Sequence, residues 1–215
     1  MKKAVILLSG GLDSTTTLYY AKAKGYKCCC LIFDYGQRHK KEIKSAVRLA
    51  KLTCSGFNIV KIRLPWSKSA LTDIGTKLPK DRKPGRMSKD IPVTYVPARN
   101  TIFLSFAASY AESISASKIF IGANALDYSG YPDCRPNYIK AYEKMINLGT
   151  KSGVEGRRLR IETPLIEMTK AEIIKLGTKL GVPYGLTWSC YSGGKYPCGV
   201  CDSCKLREKG FAELL

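Results

Sequence analysis

The chain has 215 residues, 45% of them hydrophobic, and carries 36 Lys and Arg against 17 Asp and Glu for a net charge of +19. That length buries one real core and suits one domain with at most a small appendage. No apolar run approaches the ~20 residues of a membrane span, and the charge suits nucleic acid or anionic small substrates alike.

Residues 3–8 read as a buried strand. Behind Met1-Lys2-Lys3, the apolar stretch 4–8 is shorter than the ~7 residues of the smallest signal-peptide core, and Gly10-Gly11 breaks it, so a cytoplasmic protein is expected. The strand runs into Leu8-Ser9-Gly10-Gly11-Leu12-Asp13-Ser14-Thr15. A strand, a glycine turn and a helix start in that order make a phosphate cradle, with free N–H groups aimed at an anion. Gly10 and Gly11 allow close backbone approach, and Ser9, Ser14 and Thr15 add hydroxyls. Asp13 would repel a bare phosphate and suits a Mg²⁺ that bridges phosphate oxygens. Neither G-x-x-x-x-G-K-[ST] nor G-x-G-x-x-G spacing is present.

A helix is expected over 14–24 and a second strand over 28–33. Cys28, Cys29 and Cys30 alternate faces in that strand, cannot meet at one metal, and read as packing residues, as does Cys54. Asp34-Tyr35-Gly36-Gln37-Arg38-His39 follows the strand. His39, the single histidine, reads as a solvated helix-start residue or a proton shuttle. An amphipathic helix over 39–52 and a strand over 58–64 come next. Residues 65–96 show no period, include a basic group at 77–89, and suit a lid, a partner surface or disorder.

Tyr95-Val96-Pro97-Ala98-Arg99-Asn100 precedes a helix over 100–115, with Ile102, Phe103, Phe106, Ala107 and Tyr110 on one stripe. A strand over 118–122 leads into a polar segment, 124–136, that holds Asp127, Asp133, Cys134 and Arg135. Helices are expected over 136–148 and from the capping box Thr169-Lys170-Ala171-Glu172 through residue 180. This alternation implies a three-layer, doubly wound α/β fold: a parallel sheet, helices on both faces, and ligands at the carboxyl ends of strands.

Near the end stand Cys190, Cys198, Cys201 and Cys204. Two successive C-x-x-C steps plus one further thiolate form a tetrahedral sulfur shell, closed and therefore structural. Zinc is favoured over disulfides, which need an oxidising compartment, and over an iron–sulfur cluster, which uses the same ligands.

The Ser9-Gly-Gly-Leu-Asp-Ser14 pattern resembles the PP-loop of the ATP pyrophosphatases. Together with the 34–39, 95–100 and 127–136 motifs and the cysteine quartet, it resembles the 7-cyano-7-deazaguanine synthase family over residues 5–211. The resemblance implies a PP-loop core over 1–185, with a zinc-binding region over 186–215 packed on the same domain. It implies ATP with Mg²⁺, one structural zinc, and conversion of 7-carboxy-7-deazaguanine and ammonia to the nitrile through adenylated intermediates, in queuosine biosynthesis.

Asp13, Arg99 and Lys170 are then the expected catalytic residues. Leu8, Ser9, Gly10, Gly11, Leu12, Asp13, Ser14, Thr15, Asp34 and Tyr35 hold ATP. Asp127, Asp133 and Arg135 hold the deazaguanine, and the cysteine quartet holds zinc. The expected partners are the small substrate, ammonia and a second copy in a homodimer, with neither membrane nor direct nucleic-acid binding. The alternatives are a PP-loop enzyme that modifies a tRNA base directly and a non-enzymatic zinc-ribbon module, which leaves residues 1–185 unexplained.

Overall fold

The computed structural model describes residues 1–82, 91–124 and 131–214. Five strands, β1 (Lys3–Leu7), β2 (Lys27–Asp34), β3 (Gly56–Lys61), β4 (Lys118–Ile121) and β5 (Arg160–Glu162), form one sheet in the order β3-β2-β1-β4-β5. Every neighbouring pair is parallel. The order reverses beside β1, so a crevice opens at its carboxyl end.

Central strands of a parallel sheet are covered on both faces and need continuous apolar runs, as β1 and β2 supply. One face carries Ala4, Ile6, Cys28, Cys30 and Ile32 under α1 (Leu12–Ala23) and α2 (Lys41–Leu52). The other carries Val5, Leu7, Leu31, Phe33 and Ile119 under α3 (Arg99–Ser113) and α4 (Pro136–Gly149). After the one-turn α5 (Lys151–Val154), α6 (Lys170–Lys179) closes a third cluster with Leu12, Ile173, Ile174 and Tyr184. Helix α7 (Asp202–Ala212) packs beside α6. The expected three-layer fold is the observed one.

Several elements differ from expectation. β5 has three residues, of which Ile161 alone is buried, too short to carry a period. α7 and α5 were likewise unmarked by any pattern. β3 covers 56–61 rather than 58–64, because it can pair only as far as β2 extends, to Asp34↔Lys61. α1 starts at Leu12 and α2 at Lys41, two residues from where each was expected.

The buried face of α3 is Leu104, Ala107, Ala108 and Ala111, and Phe106 stands 41% exposed. Small residues let this helix lie close to the sheet, while Phe103 reaches sideways to stack on Phe33 at 3.9 Å. Cys54 is exposed rather than packed, in the α2–β3 turn with φ +51°. Among the described residues, 65–82 and 91–96 hold neither helix nor strand, and no helix is long and apolar enough to cross a membrane.

Candidate active site

A cavity of about 290 Å³ opens at the carboxyl edge of the sheet. Leu8, Ser9, Gly11, Leu12, Asp13 and Ser14 line it, with Tyr35, Arg99 and Lys170 arriving from other elements. The 9–15 loop is shaped from behind. Gly10 has φ +82°, and a Cβ on it would lie 2.4 Å from the Glu42 carbonyl and 2.5 Å from the Ala46 nitrogen. Its own carbonyl accepts from the Ser45 hydroxyl and the Trp188 N–H, both at 2.9 Å.

Gly11 has an ordinary extended backbone, φ −79°, so its lack of a side chain serves openness rather than conformation. Gly122, at the end of β4, passes so close that a Cβ would sit 2.9 Å from the Ser14 nitrogen. The Ser9 and Ser14 hydroxyls lie 2.9 Å apart at the mouth of the loop. Thr15 is fully buried and donates to the Gly11 carbonyl at 2.7 Å. Thr15 and Gly10 therefore shape the loop from outside the cavity lining.

Asp13 and Lys170 are 157 positions apart in the chain and meet here. The Lys170 ammonium donates to both Asp13 carboxylate oxygens, at 2.8 and 2.9 Å. Lys170 is the first residue of α6, and the expected capping box fixes that helix start. The Thr169 N–H donates to the Glu172 carboxylate at 2.8 Å, and the Glu172 N–H donates to the Thr169 hydroxyl at 3.3 Å.

Arg99 enters from the first residue of α3, directly after Ala98, whose φ of +52° is left-handed. The Arg99 guanidinium lies 5.8 Å from the ring centres of both Tyr35 and Phe103. Burial works against its charge, but Tyr35, Tyr131 and Asp133 outweigh burial and raise its pKa. Burial pushes the Tyr35 phenol up to about 12. Glu42, unmarked in the sequence, also faces the cavity. Burial lifts its carboxyl to about 7, against the pull of Arg99.

The 34–39 motif works as a junction. Asp34 pairs with Lys40, and burial opposes but does not prevent a lowered pKa. Gln37 accepts from the Tyr35 N–H at 2.9 Å and donates to the Phe33 carbonyl at 3.1 Å, bracing the strand end. Arg38 donates to the Asp73, Ile74 and Thr76 carbonyls and so clamps part of the unpatterned 65–96 segment against the site. His39 is not exposed. Its Nε2 lies 2.9 Å from the Cys190 carbonyl, which also accepts from the Trp188 indole at 2.8 Å.

The Sγ atoms of Cys190, Cys198, Cys201 and Cys204 all lie within 4.8 Å of one another. A tetrahedral shell with zinc–sulfur bonds of about 2.3 Å has sulfur–sulfur edges of about 3.8 Å, so this donor set fits a zinc-sized ion. Backbone N–H groups of Ser192 and Cys198 point at the Cys190 sulfur, at 3.4 and 3.3 Å. Burial raises the Cys198 thiol, but hydrogen bonds from Ser192, Val200 and Cys201 overcome it and hold the group at about 6. Gly199 and Gly193 take the positive φ values that the tight turns require. Trp188, Ser189, Tyr191 and Arg207 from this region line the cavity. Arg207, unmarked by any sequence signal, donates to the Thr187 hydroxyl at 2.7 Å and the Tyr184 carbonyl at 2.8 Å.

The expected substrate residues are less gathered. Asp127 lies outside the described residues. Asp133 is buried, and its carboxylate accepts from the Asn100 N–H at 3.0 Å, which caps the start of α3. Arg135 is exposed at the start of α4, away from the cavity lining. Asp34 is also absent from that lining. Cys134 does reach it, with burial raising its thiol to about 11.

Residues 3–215 match the family model described as queuosine biosynthesis protein QueC. A 7-cyano-7-deazaguanine synthase from Nostoc punctiforme is 58% identical over 214 residues, 99% of this chain and 96% of that protein. One from Trichodesmium erythraeum is 59% identical with the same coverage. Among solved structures, a 4-thiouridine synthetase in complex with RNA and bound ATP shares the fold, at TM-score 0.50 and 18% identity, over 98% of this chain and 53% of that one. The chain belongs to the QueC family of 7-cyano-7-deazaguanine synthases.

Proposed function

We infer that this chain is an ATP-dependent ligase that makes 7-cyano-7-deazaguanine by adenylating its substrate. The single observation that carries the mechanism is the convergence of the 9–14 loop, Lys170 and Arg99 on one cavity. Phosphoryl chemistry depends on positioning and on charge neutralisation rather than on covalent catalysis. The substrate carboxylate attacks the α-phosphorus of ATP, pyrophosphate leaves, and ammonia displaces AMP from the acyl-adenylate to give the amide. A second adenylation, on the amide oxygen, followed by loss of AMP yields the nitrile.

Ser9, Gly11 and Ser14 hold the phosphate tail, and Tyr35 borders the adenine. Asp13 would hold Mg²⁺, which neutralises phosphate charge when bound. Arg99 faces the developing charge. Asp127, Asp133 and Arg135 remain proposed readers of the deazaguanine, with Asp133 acting through the Asn100 cap. The cysteine quartet would hold structural zinc, with 186–215 as a region packed on a 1–185 core. A cytoplasmic homodimer that uses free or delivered ammonia completes the reading. Direct modification of a tRNA base is not favoured, since full-length relatives bear the synthase name.

Mass spectrometry after incubation with ATP, Mg²⁺, ammonium and the carboxy-deazaguanine tests it. The nitrile and AMP are expected, and Asp13→Asn should abolish both while the protein stays folded. ADP as the spent nucleotide, or AMP still released by the variant, would refute the mechanism.

A further inference from the structure

Two carboxylates line the cavity among the described residues, Asp13 and Glu42. Asp13 is engaged at both oxygens by Lys170. Glu42, in the first turn of α2, has no hydrogen bond or ion pair on its carboxylate among the described residues. Its backbone is closely packed, since a Cβ on Gly10 would lie 2.4 Å from the Glu42 carbonyl oxygen. A carboxylate without a hydrogen-bond or ion-pair partner, facing the cavity beside the 9–14 loop, has no evident packing task.

The reaction inferred above requires a proton acceptor, and this step rests on that reading. When the lone pair of ammonia bonds to the acyl carbon, the nitrogen becomes positively charged. One N–H proton must leave as the carbon–oxygen bond to the phosphate breaks and AMP departs with that electron pair. The cations Arg99, Lys170 and Arg207 cannot accept it. Burial keeps the Tyr35 phenol and the Cys134 thiol protonated. His39 donates Nε2–H to the Cys190 carbonyl, which leaves Nδ1 as its basic nitrogen, buried and without a hydrogen-bond partner among the described residues; it is the rival acceptor that the test must separate from Glu42.

We propose that Glu42 takes the proton from the attacking nitrogen in the amination step and passes it to solvent before the second adenylation. The titratable groups that face it are Arg99 from α3 and Tyr35 from the end of β2. Across the cavity, Asp13 and Lys170 neutralise each other. Burial places the carboxyl near neutrality, where a general base is most effective.

The test separates the half-reactions. With ATP, Mg²⁺ and 7-carboxy-7-deazaguanine but no ammonium, exchange of labelled pyrophosphate into ATP reports adenylation. With ammonium, mass spectrometry reports amide and nitrile. Glu42→Gln should lower ammonium-dependent product by about 100-fold or more and lower exchange far less. The variant should also lose the limb of the wild-type kcat/KM profile that rises near pH 7. Hydroxylamine, whose weakly basic nitrogen sheds its proton to water more readily, should form hydroxamate with a smaller deficit. Glu42→Asp, which keeps a carboxylate, should recover part of the rate.

Amination that survives Glu42→Gln, or exchange and amination falling in equal measure, would overturn the assignment. So would His39→Gln reproducing the amination defect while Glu42→Gln does not. A wild type that shows no exchange would instead overturn the adenylation reading and this assignment with it.

Discussion

Asp13 faces two demands at the residue scale. In the proposed reading a carboxylate beside a polyphosphate would raise the local negative charge, yet a loop that holds Mg²⁺ would need one. The Lys170 ammonium, 2.8 and 2.9 Å from the two oxygens, balances the Asp13 charge in the structure, and on the proposed reading a metal–nucleotide complex would compete for that carboxylate. Glu42 has no such partner, and its titration should be visible in stability. Its folded pKa, about 7, stands above the value of 4.5 for an ordinary glutamate. Between those values the folded protein keeps a proton that the unfolded chain releases, so stability falls as pH rises through that window and stays lower above it. Glu42→Gln removes the titration. The variant should melt above the wild type at pH 8, with the difference much smaller at pH 5. Thermal melts at the two pH values check this, and a difference independent of pH would contradict it.

The decisive contacts at the element scale are backbone approaches. The β1–α1 loop fits under α2 only because Gly10 lacks a side chain and adopts φ +82°. Gly10→Ala combines a left-handed backbone, which costs a non-glycine residue about 1–2 kcal/mol, with a Cβ driven into the first turn of α2. A loss of about 3 kcal/mol or more is expected in urea unfolding. Gly11→Ala should cost under about 1 kcal/mol, since its φ is −79° and an added Cβ would meet atoms no nearer than 3.4 Å. Equal losses for the two would show that loop glycines act through chain entropy alone. The same close approach explains α3, where alanines face the sheet and the aromatic residues lie to the side.

The C-terminal region is a wall of the site at the scale of the whole molecule. The Trp188 N–H holds the Gly10 carbonyl, and Arg207 reaches the cavity from α7. Arg82 pairs with the buried Asp202 beside the cysteine cluster, and the Asp81 N–H donates to the Val200 carbonyl at 2.9 Å. The segment without a pattern is thus anchored at Arg38 and again beside the cysteine cluster. Metal-binding energy at such a cluster is folding energy. Cys201→Ser, or a strong chelator, should therefore remove one zinc per chain, lower the melting temperature by several degrees and change the Trp188 emission. Loss of zinc with melting and emission both unchanged would reduce the site to an incidental one.

Residues that lie close along the chain determined much of this protein by themselves. The Ser9–Gly10–Gly11–Asp13 run, the β1 and β2 apolar stretches, the Thr169/Glu172 capping box and the C-x-x-C steps were legible because strand period, helix capping and ligand spacing are local physics. The Asp13–Lys170 pair, the unpartnered Glu42, the Arg38 clamp, Arg207 and the β3 register were not. Each depends on groups that lie from 20 to 157 positions apart and meet only when helices close on both faces of the sheet. Burial, which sets the charge of Glu42 and Tyr35, is likewise a property of the assembled layers rather than of any segment.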